Sequence, residues 1–304
     1  MQLPVANTPL VPLRHPLLES REIEIWIKRD DLTHPEIMGN KWRKLKYNLR
    51  EARESGKDTL VTYGGAYSNH IAATAAAGKI FDFHTIGIIR GDELHPASNP
   101  TLRKAAENGM KLLFVSRQEF RQYKTDLDMP GGIPSTAYVL PEGGTNHLAI
   151  QGCREIVDEI EIDFDILVTA MGTGGTFAGL ASGLDGRKQL WGVSALKGAW
   201  VHREANALLT RENIFFSNFK TFDDHVFGGY GQFNPYLIQF ILNFRKENNI
   251  LLDPVYTGKM FLCVWDMINN DQIAKGSRLI LLHTGGLQGI EGFNFQHQLK
   301  IPMA

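Results

Sequence analysis

The chain is short of cysteine, of charge imbalance and of long apolar runs, and each shortage removes a class of function. Only Cys153 and Cys263 occur in 304 residues, far apart and neither in a CxxC pair, which argues against a zinc site or a redox couple. A bridge between them stays open on sequence, but a reducing, cytoplasmic setting is the simpler reading. Lys and Arg number 32 against 33 Asp and Glu, a net charge of −1, without the basic excess of a protein that works on nucleic acid or an anionic membrane. No window approaches the roughly 20 apolar residues that a membrane span needs. The opening stretch, MQLPVANTPLVPLRHPLL, has several prolines and no basic run before its apolar part, so it does not read as a signal peptide. HExxH, GxSxG and a P-loop GK[ST] are all missing, and His70, His147 and His283 have no spacing that suggests a metal.

What is present is an alternation. Hydrophobic residues make up 43% and charged residues 21%, ordinary globular values, and the length suits two domains. From about residue 58, short β-branched runs alternate with stretches of helical period, the pattern of βαβ units and a largely parallel sheet. Candidate strands are Thr59–Tyr63, His84–Ile89, Lys111–Val115, Ala137–Leu140, Ile166–Ala170, Leu190–Ser194 and Arg278–Leu282. Asn99 and Pro100 give an N-cap followed by a first-turn proline, and Gly109 stands where that helix should stop. Leu237, Phe240, Ile241 and Phe244 share helical spacing, as do Phe261, Val264, Trp265 and Ile268, so each set predicts one packed face.

Glycine pairs recur where strands give way to helices: Gly64-Gly65, Gly143-Gly144, Gly174-Gly175 and Gly285-Gly286. One pair is only a turn signal. Four at the carboxyl ends of strands mark the edge at which parallel α/β sheets bind ligands. The best anion candidate is Met171-Gly172-Thr173-Gly174-Gly175-Thr176, which opens a helix. It is no dinucleotide fingerprint, because Phe177 stands where GxGxxG needs glycine. It suits either a phosphate cradled by backbone N–H groups and the Thr173 and Thr176 hydroxyls, or a plain turn.

In Met38-Gly39-Asn40-Lys41-Trp42-Arg43-Lys44-Leu45, residues Trp42, Leu45, Leu49 and Ala52 form one helix face, leaving Lys41 near the N-terminus. The helix dipole there should ease loss of its proton, a property useful to a nucleophile. Lys44 and Lys46 read as solvated surface groups. Ser68, in GGAYSNH, is an N-cap whose hydroxyl could also face a carboxylate. Asp253-Pro254-Val255-Tyr256-Thr257-Gly258-Lys259 opens another helix, its plainest role a turn.

Taken in order, IKRDDL, GNKWRKL, TYGGAYSNH, PEGGTNHLAIQG, MGTGGTFAGL, GGYG, DPVYTGK and HTGG resemble the pyridoxal 5′-phosphate enzymes of fold type II, specifically the family of 1-aminocyclopropane-1-carboxylate deaminase and D-cysteine desulfhydrase. The resemblance implies a tryptophan synthase β-like α/β fold. Two three-layer α/β/α domains would have largely parallel sheets: residues 1–43 with 151–304 as a large cofactor-binding domain, and residues 44–150 as a small mobile one. It implies Lys41 as the lysine that carries the cofactor and moves a proton at the substrate α-carbon. The loop Gly172, Thr173, Gly174, Gly175 and Thr176 would hold the cofactor phosphate, and Asn69 the ring hydroxyl. Ser68, with Asn69 and His70, would bind substrate, beside Tyr230 and Tyr256. A homodimer acting on a small amino acid is implied in the same way.

Two positions choose within the family. The cyclopropane deaminases have Glu after the tyrosine of VYEG and Leu before the late glycine pair; this chain has Thr257 and Thr284, the hydroxyl pair of the desulfhydrase side. A carboxylate beside the pyridine nitrogen would keep it protonated, whereas a hydroxyl supports that form less. The weaker sink suits β-elimination from D-cysteine to pyruvate, ammonia and sulfide. The alternatives are the cyclopropane deaminase itself, or a lyase or racemase for another β-substituted amino acid such as L-cysteate. A rival of another class is a silent phosphate-binding sensor, against which Lys41 counts. The chain departs from the family in having Met38 before Gly39 and an indole at Trp42, which either reshapes the pocket or, the favoured reading, packs in the core. Glu142 and His147 are substrate determinants or interdomain contacts.

Overall fold

The computed structural model describes residues 7–303 except 127, 128, 185 and 197–200. Among the described residues, ten strands form two sheets. The larger takes β1 (Leu10–Leu13), β2 (Glu24–Lys28), β7 (Ile166–Met171), β8 (Gln189–Ser194), β9 (Phe219–Phe222) and β10 (Arg278–Leu282) in the order β1-β2-β10-β7-β8-β9. The smaller takes β3 (Thr59–Gly64), β4 (His84–Arg90), β5 (Met110–Val115) and β6 (Tyr138–Leu140) in the order β5-β4-β3-β6. Every pairing is parallel except β1 with β2. β2 lies beside β10, with Glu24 opposite Arg278, so the N-terminal segment joins the sheet of the C-terminal half.

Parallel strands are covered on both faces, so they read as unbroken apolar runs rather than alternations. Alternate residues of β10 show both coverings: Leu279 and Leu281 pack with the Pro235–Asn248 and Thr257–Asn269 helices, while Ile280 and Leu282 pack with residues of the Gly175–Gly183 and Val201–Arg211 helices. The smaller sheet is sandwiched likewise, with Leu60 on one side and Val61 and Tyr63 on the other. Each sheet is thus the middle of three layers.

The seven expected strands are all present, each within a residue or so of its expected ends. Three were missed. β1 contains Pro12 and is an antiparallel edge, where a missing N–H is tolerated; β9 is the opposite edge. β2 ends in a lysine, yet Lys28 is fully buried, its ammonium donating to Thr8 O at 2.6 Å and pairing with Glu159 at 2.6 Å. The helix signals hold: Asn99 accepts from Leu102 N at 3.0 Å, and the helix runs Pro100–Glu107.

Trp42 is fully buried, stacked between His34 and Phe81 with ring centroids 5.4 and 5.9 Å away. It packs the core of the smaller sheet with Leu45, Leu49 and Ala52 and does not shape the cleft. Trp42→Ala should therefore cost about 3–5 kcal/mol in a urea melt; a loss under about 1 kcal/mol would mean that the ring is not holding that core.

Candidate active site

The carboxyl ends of β3, β6, β7 and β10 converge on one cleft. It is lined by Ser68, Asn69 and His70 after β3, Gly143 after β6, Met171 to Phe177 at the end of β7, and Thr284 to Gly286 after β10, with Lys41, Lys44, Tyr230 and Tyr256. About 690 Å³ of it is free of protein atoms, part of this open to solvent. Gly39 makes the junction possible. Its φ of 68° is left-handed, and a Cβ there would lie 1.9 Å from Thr284 O. The next amide, Asn40 N, donates to that same oxygen at 3.1 Å, which fixes the start of the Lys41 helix, Asn40–Glu54, against the end of β10.

That helix sorts its charges by face. Arg43 is buried and fully paired, with Asp30 at 2.9 Å and Glu159 at 2.5 Å, and Lys46 pairs with Glu155. Lys41 and Lys44, three residues apart and so on a common face, point into the cleft, where no acidic side chain lines the wall among the described residues. Lys44 is buried rather than solvated, correcting the sequence expectation. Its ammonium donates to Gly143 O at 2.9 Å, Thr145 Oγ1 at 3.3 Å and Thr173 Oγ1 at 3.4 Å. Lys41 donates to Asn40 Oδ1 at 2.9 Å, and Asn40 Nδ2 donates to Thr176 Oγ1 at 3.0 Å. Burial first, and the nearby Lys44 charge second, lower the Lys41 pKa from 10.5 to about 7. The helix position is thus the lesser part of the story.

Two tyrosines close the other side. Tyr230 and Tyr256 meet edge to face, centroids 6.0 Å apart, and burial raises the pKa of each, that of Tyr256 strongly. Both keep their phenolic protons at neutral pH. Ser68 Oγ accepts from Ile71 N at 3.3 Å as the N-cap of its helix, leaving its own proton to donate. Thr284 lines the cleft, but Thr257 does not. The Thr257 hydroxyl donates to Asp253 Oδ2 at 2.7 Å and accepts from Asp253 N at 2.9 Å. Asp253 Oδ1 also accepts from Val255 N and Tyr256 N, and its Oδ2 from Thr257 N. The two threonines are therefore not equivalent: one faces the ligand space, the other braces the start of the Tyr256 helix from behind.

The sequence profile described as pyridoxal-phosphate dependent enzyme matches residues 1–285. The chain belongs to that family. A D-cysteine desulfhydrase of Serratia proteamaculans (strain 568) is 30% identical over 304 aligned residues, covering 90% of this chain and 89% of that protein. A protein of Arabidopsis thaliana named bifunctional D-cysteine desulfhydrase/1-aminocyclopropane-1-carboxylate deaminase, mitochondrial, is 30% identical over 306, covering 88% and 73%. A crystal structure described as an ACC deaminase homologue superposes with a TM-score of 0.80 at 28% identity, covering 97% of this chain and 93% of that one.

The cleft of this pyridoxal-phosphate dependent enzyme fits its cofactor on three counts. The Gly175–Gly183 helix begins at Gly174 without any side-chain cap, so first-turn N–H groups remain for a phosphate. A Cβ at Gly175 would lie 3.0 Å from the Lys44 amine, so the glycine keeps the space beside that cation open. His70 is buried with both ring nitrogens unpartnered. Burial, then Lys41 and Lys44, push its pKa well below 6.5, leaving a neutral ring with one donor and one acceptor to offer. Lys44 is the site residue that sequence reasoning missed. Its only signal was the spacing of three from Lys41, shared with every surface lysine on such a helix.

The lysine pair gives a signed prediction for the cofactor-free protein. Only the free amine of Lys41 adds to an aldehyde, so the rate of pyridoxal phosphate uptake should fall as pH drops through about 7. Lys44→Met removes the neighbouring like charge and should move that midpoint upward; a midpoint that stays put would refute the coupling. Between about 7 and 10.5 the folded chain holds fewer protons at Lys41 than the unfolded chain. Stability should then rise with pH across that window, and Lys41→Met should flatten the rise in melts at several pH values.

Proposed function

We propose that the chain is a pyridoxal-phosphate dependent β-lyase that converts D-cysteine to pyruvate, ammonia and sulfide. The observation that carries this reading is the cleft wall: Thr284 lines it and no carboxylate does among the described residues. Bound pyridoxal phosphate supplies an electron sink for the substrate α-carbon. Without an acid beside the ring nitrogen that sink is weak, which suits a substrate with an acidic α-hydrogen and a good leaving group better than a cyclopropane. The choice of D-cysteine rests on the Serratia relative.

On this reading each residue moves or holds a specific proton. The Ser68 hydroxyl donates to the substrate carboxylate, and Asn69 and His70 orient the ligand beside it. Lys41, poised near neutrality, takes the α-proton. The β-carbon–sulfur bond then breaks and the sulfur leaves as hydrosulfide, to which the Tyr256 hydroxyl, backed by Tyr230, donates a hydrogen bond. The unsaturated amine left behind adds water on release, giving pyruvate and ammonia. Gly172, Thr173, Gly174, Gly175, Thr176 and Lys44 would hold the phosphate, and Thr284 would offer its hydroxyl to the ring.

A second reading, 1-aminocyclopropane-1-carboxylate deamination, is favoured by the bifunctional Arabidopsis relative. Residues 44–150, built around the four-stranded sheet, form on our reading a unit that closes over the substrate and excludes water. What supports it is that Ser68, Asn69 and His70 come from that sheet and the phosphate loop, Tyr256 and Thr284 from the other. The reading includes a cytoplasmic homodimer. Cys153 and Cys263 are both free and buried, in keeping with a reducing compartment, and no helix among the described residues is long and apolar enough to cross a membrane.

Products decide the matter. The purified enzyme should release pyruvate and sulfide from D-cysteine and little 2-oxobutanoate from the cyclopropane amino acid; the opposite preference would replace the first reading with the second. Tyr256→Phe should lower kcat on D-cysteine by about 10²–10⁴-fold while retaining the visible absorbance of bound cofactor. Lys41→Ala should lose both absorbance and turnover.

A further inference from the structure

The proton chemistry above leaves one buried cation unused. Lys259 is 1% exposed and sits in the first turn of the Thr257–Asn269 helix, with no carboxylate in ion-pair distance among the described residues. Its ammonium donates instead to two backbone carbonyls, Val226 O at 2.9 Å and Gly229 O at 3.1 Å. Those oxygens are also the acceptors that close two successive turns, from Gly229 N at 3.0 Å and from Gln232 N at 3.2 Å. The turns hold Tyr230 at the mouth of the cleft.

Their backbone is unusual, and at one residue it is strained. Phe227, Gly228, Gly229 and Gly231 all have positive φ, at 52°, 102°, 139° and 68°, and the left-handed Phe227 has no glycine excuse. Such conformations persist only where the surroundings over-determine them. The Thr257–Asn269 helix does so at two points. Lys259 grips the turn carbonyls, and Asp266, two turns on and on the same face, pairs with His225 at 2.9 Å and accepts from Tyr236 at 3.0 Å. The Phe227 ring lies between these anchors, 5.8 Å from the Lys259 amine and edge-on to His225. The same helix starts beside Tyr256, so both tyrosines are mounted on one rigid element.

We propose that Lys259 is a positioning residue for the reaction. By holding the carbonyls of Val226 and Gly229, it fixes the 226–232 turns so that Tyr230 meets Tyr256 over the substrate. This rests on the reading that Tyr230 serves the substrate. Burial without an acid partner draws the Lys259 pKa down to about 8, the strain expected of a cation retained for its donors.

The test compares Lys259→Met, which removes the donors, with Lys259→Gln, whose amide offers two N–H groups. In cofactor-free protein, amide hydrogen exchange at Gly229 and Gln232 should speed up about tenfold or more in Lys259→Met and return towards wild type in Lys259→Gln. In the loaded enzyme Lys259→Met should lower kcat with little change in KM, and adding Tyr230→Phe should cost nothing more, the non-additivity of residues acting as a unit. Unchanged exchange in Lys259→Met, or kcat losses that add in the double variant, would overturn the proposal. If Lys259→Met does not fold, Lys259→Gln with fast exchange and low kcat overturns it equally. A fully active Tyr230→Phe would defeat the functional reading instead, while the exchange experiment would still decide what Lys259 holds.

Discussion

Two amines on one helix face, Lys44 buried and Lys41 half-buried, set the terms for the rest of the cleft, because no carboxylate lines it among the described residues. Taking an ammonium out of water is expensive, and a protein normally offsets it with an acid or lets the proton go. This chain spends its acids elsewhere: Asp30 and Glu159 on Arg43 and Lys28, Glu155 on Lys46. Lys41 is left to surrender its proton, and Lys44 is left to hold carbonyl and hydroxyl oxygens. An anion entering beside the uncapped Gly175–Gly183 helix would meet fixed donors that need no rearrangement.

The same economy of position explains the backbone. Gly39 lets the start of the Lys41 helix touch Thr284 O at a distance no side chain would permit, and Gly285, itself left-handed, packs back against Gly39. The lysine and the late glycine pair are therefore one construction, although more than 240 residues separate them in sequence. Asp253 plays the corresponding part at the other wall, gathering three amides and a hydroxyl at the start of the Tyr256 helix.

Much of this was legible in the sequence because it is local. Apolar runs bounded by turn residues located β3 to β8 and β10, and glycine pairs located the edge on which Ser68, Thr173 and Thr284 gather. What stayed hidden depends on partners far along the chain. β2 was obscured by Lys28, whose charge is neutralised by Glu159 from 131 residues away. Lys44 looked like any surface lysine until the Gly143 carbonyl closed over it. Thr257 matched a family position, yet its hydroxyl turns to Asp253, a choice that depends on local backbone geometry rather than on residue type.

The difference between the two threonines bears on the chemistry. Because Thr257 gives its proton to Asp253, only Thr284 offers a hydroxyl to the cleft from this pair, and a hydroxyl cannot hold a proton on a pyridine nitrogen as a carboxylate can. Hydrogen bonds are then offered by two phenols that stay protonated, their pKa values raised, and a proton is accepted by one amine whose pKa is lowered. Burial moves these acids and this base in opposite directions because the charged form is phenolate in one case and ammonium in the other. One partly enclosed cleft thereby keeps its donors protonated and its acceptor free at the same pH, which an elimination needs, since a base must take the α-proton while a hydrogen-bond donor meets the departing group.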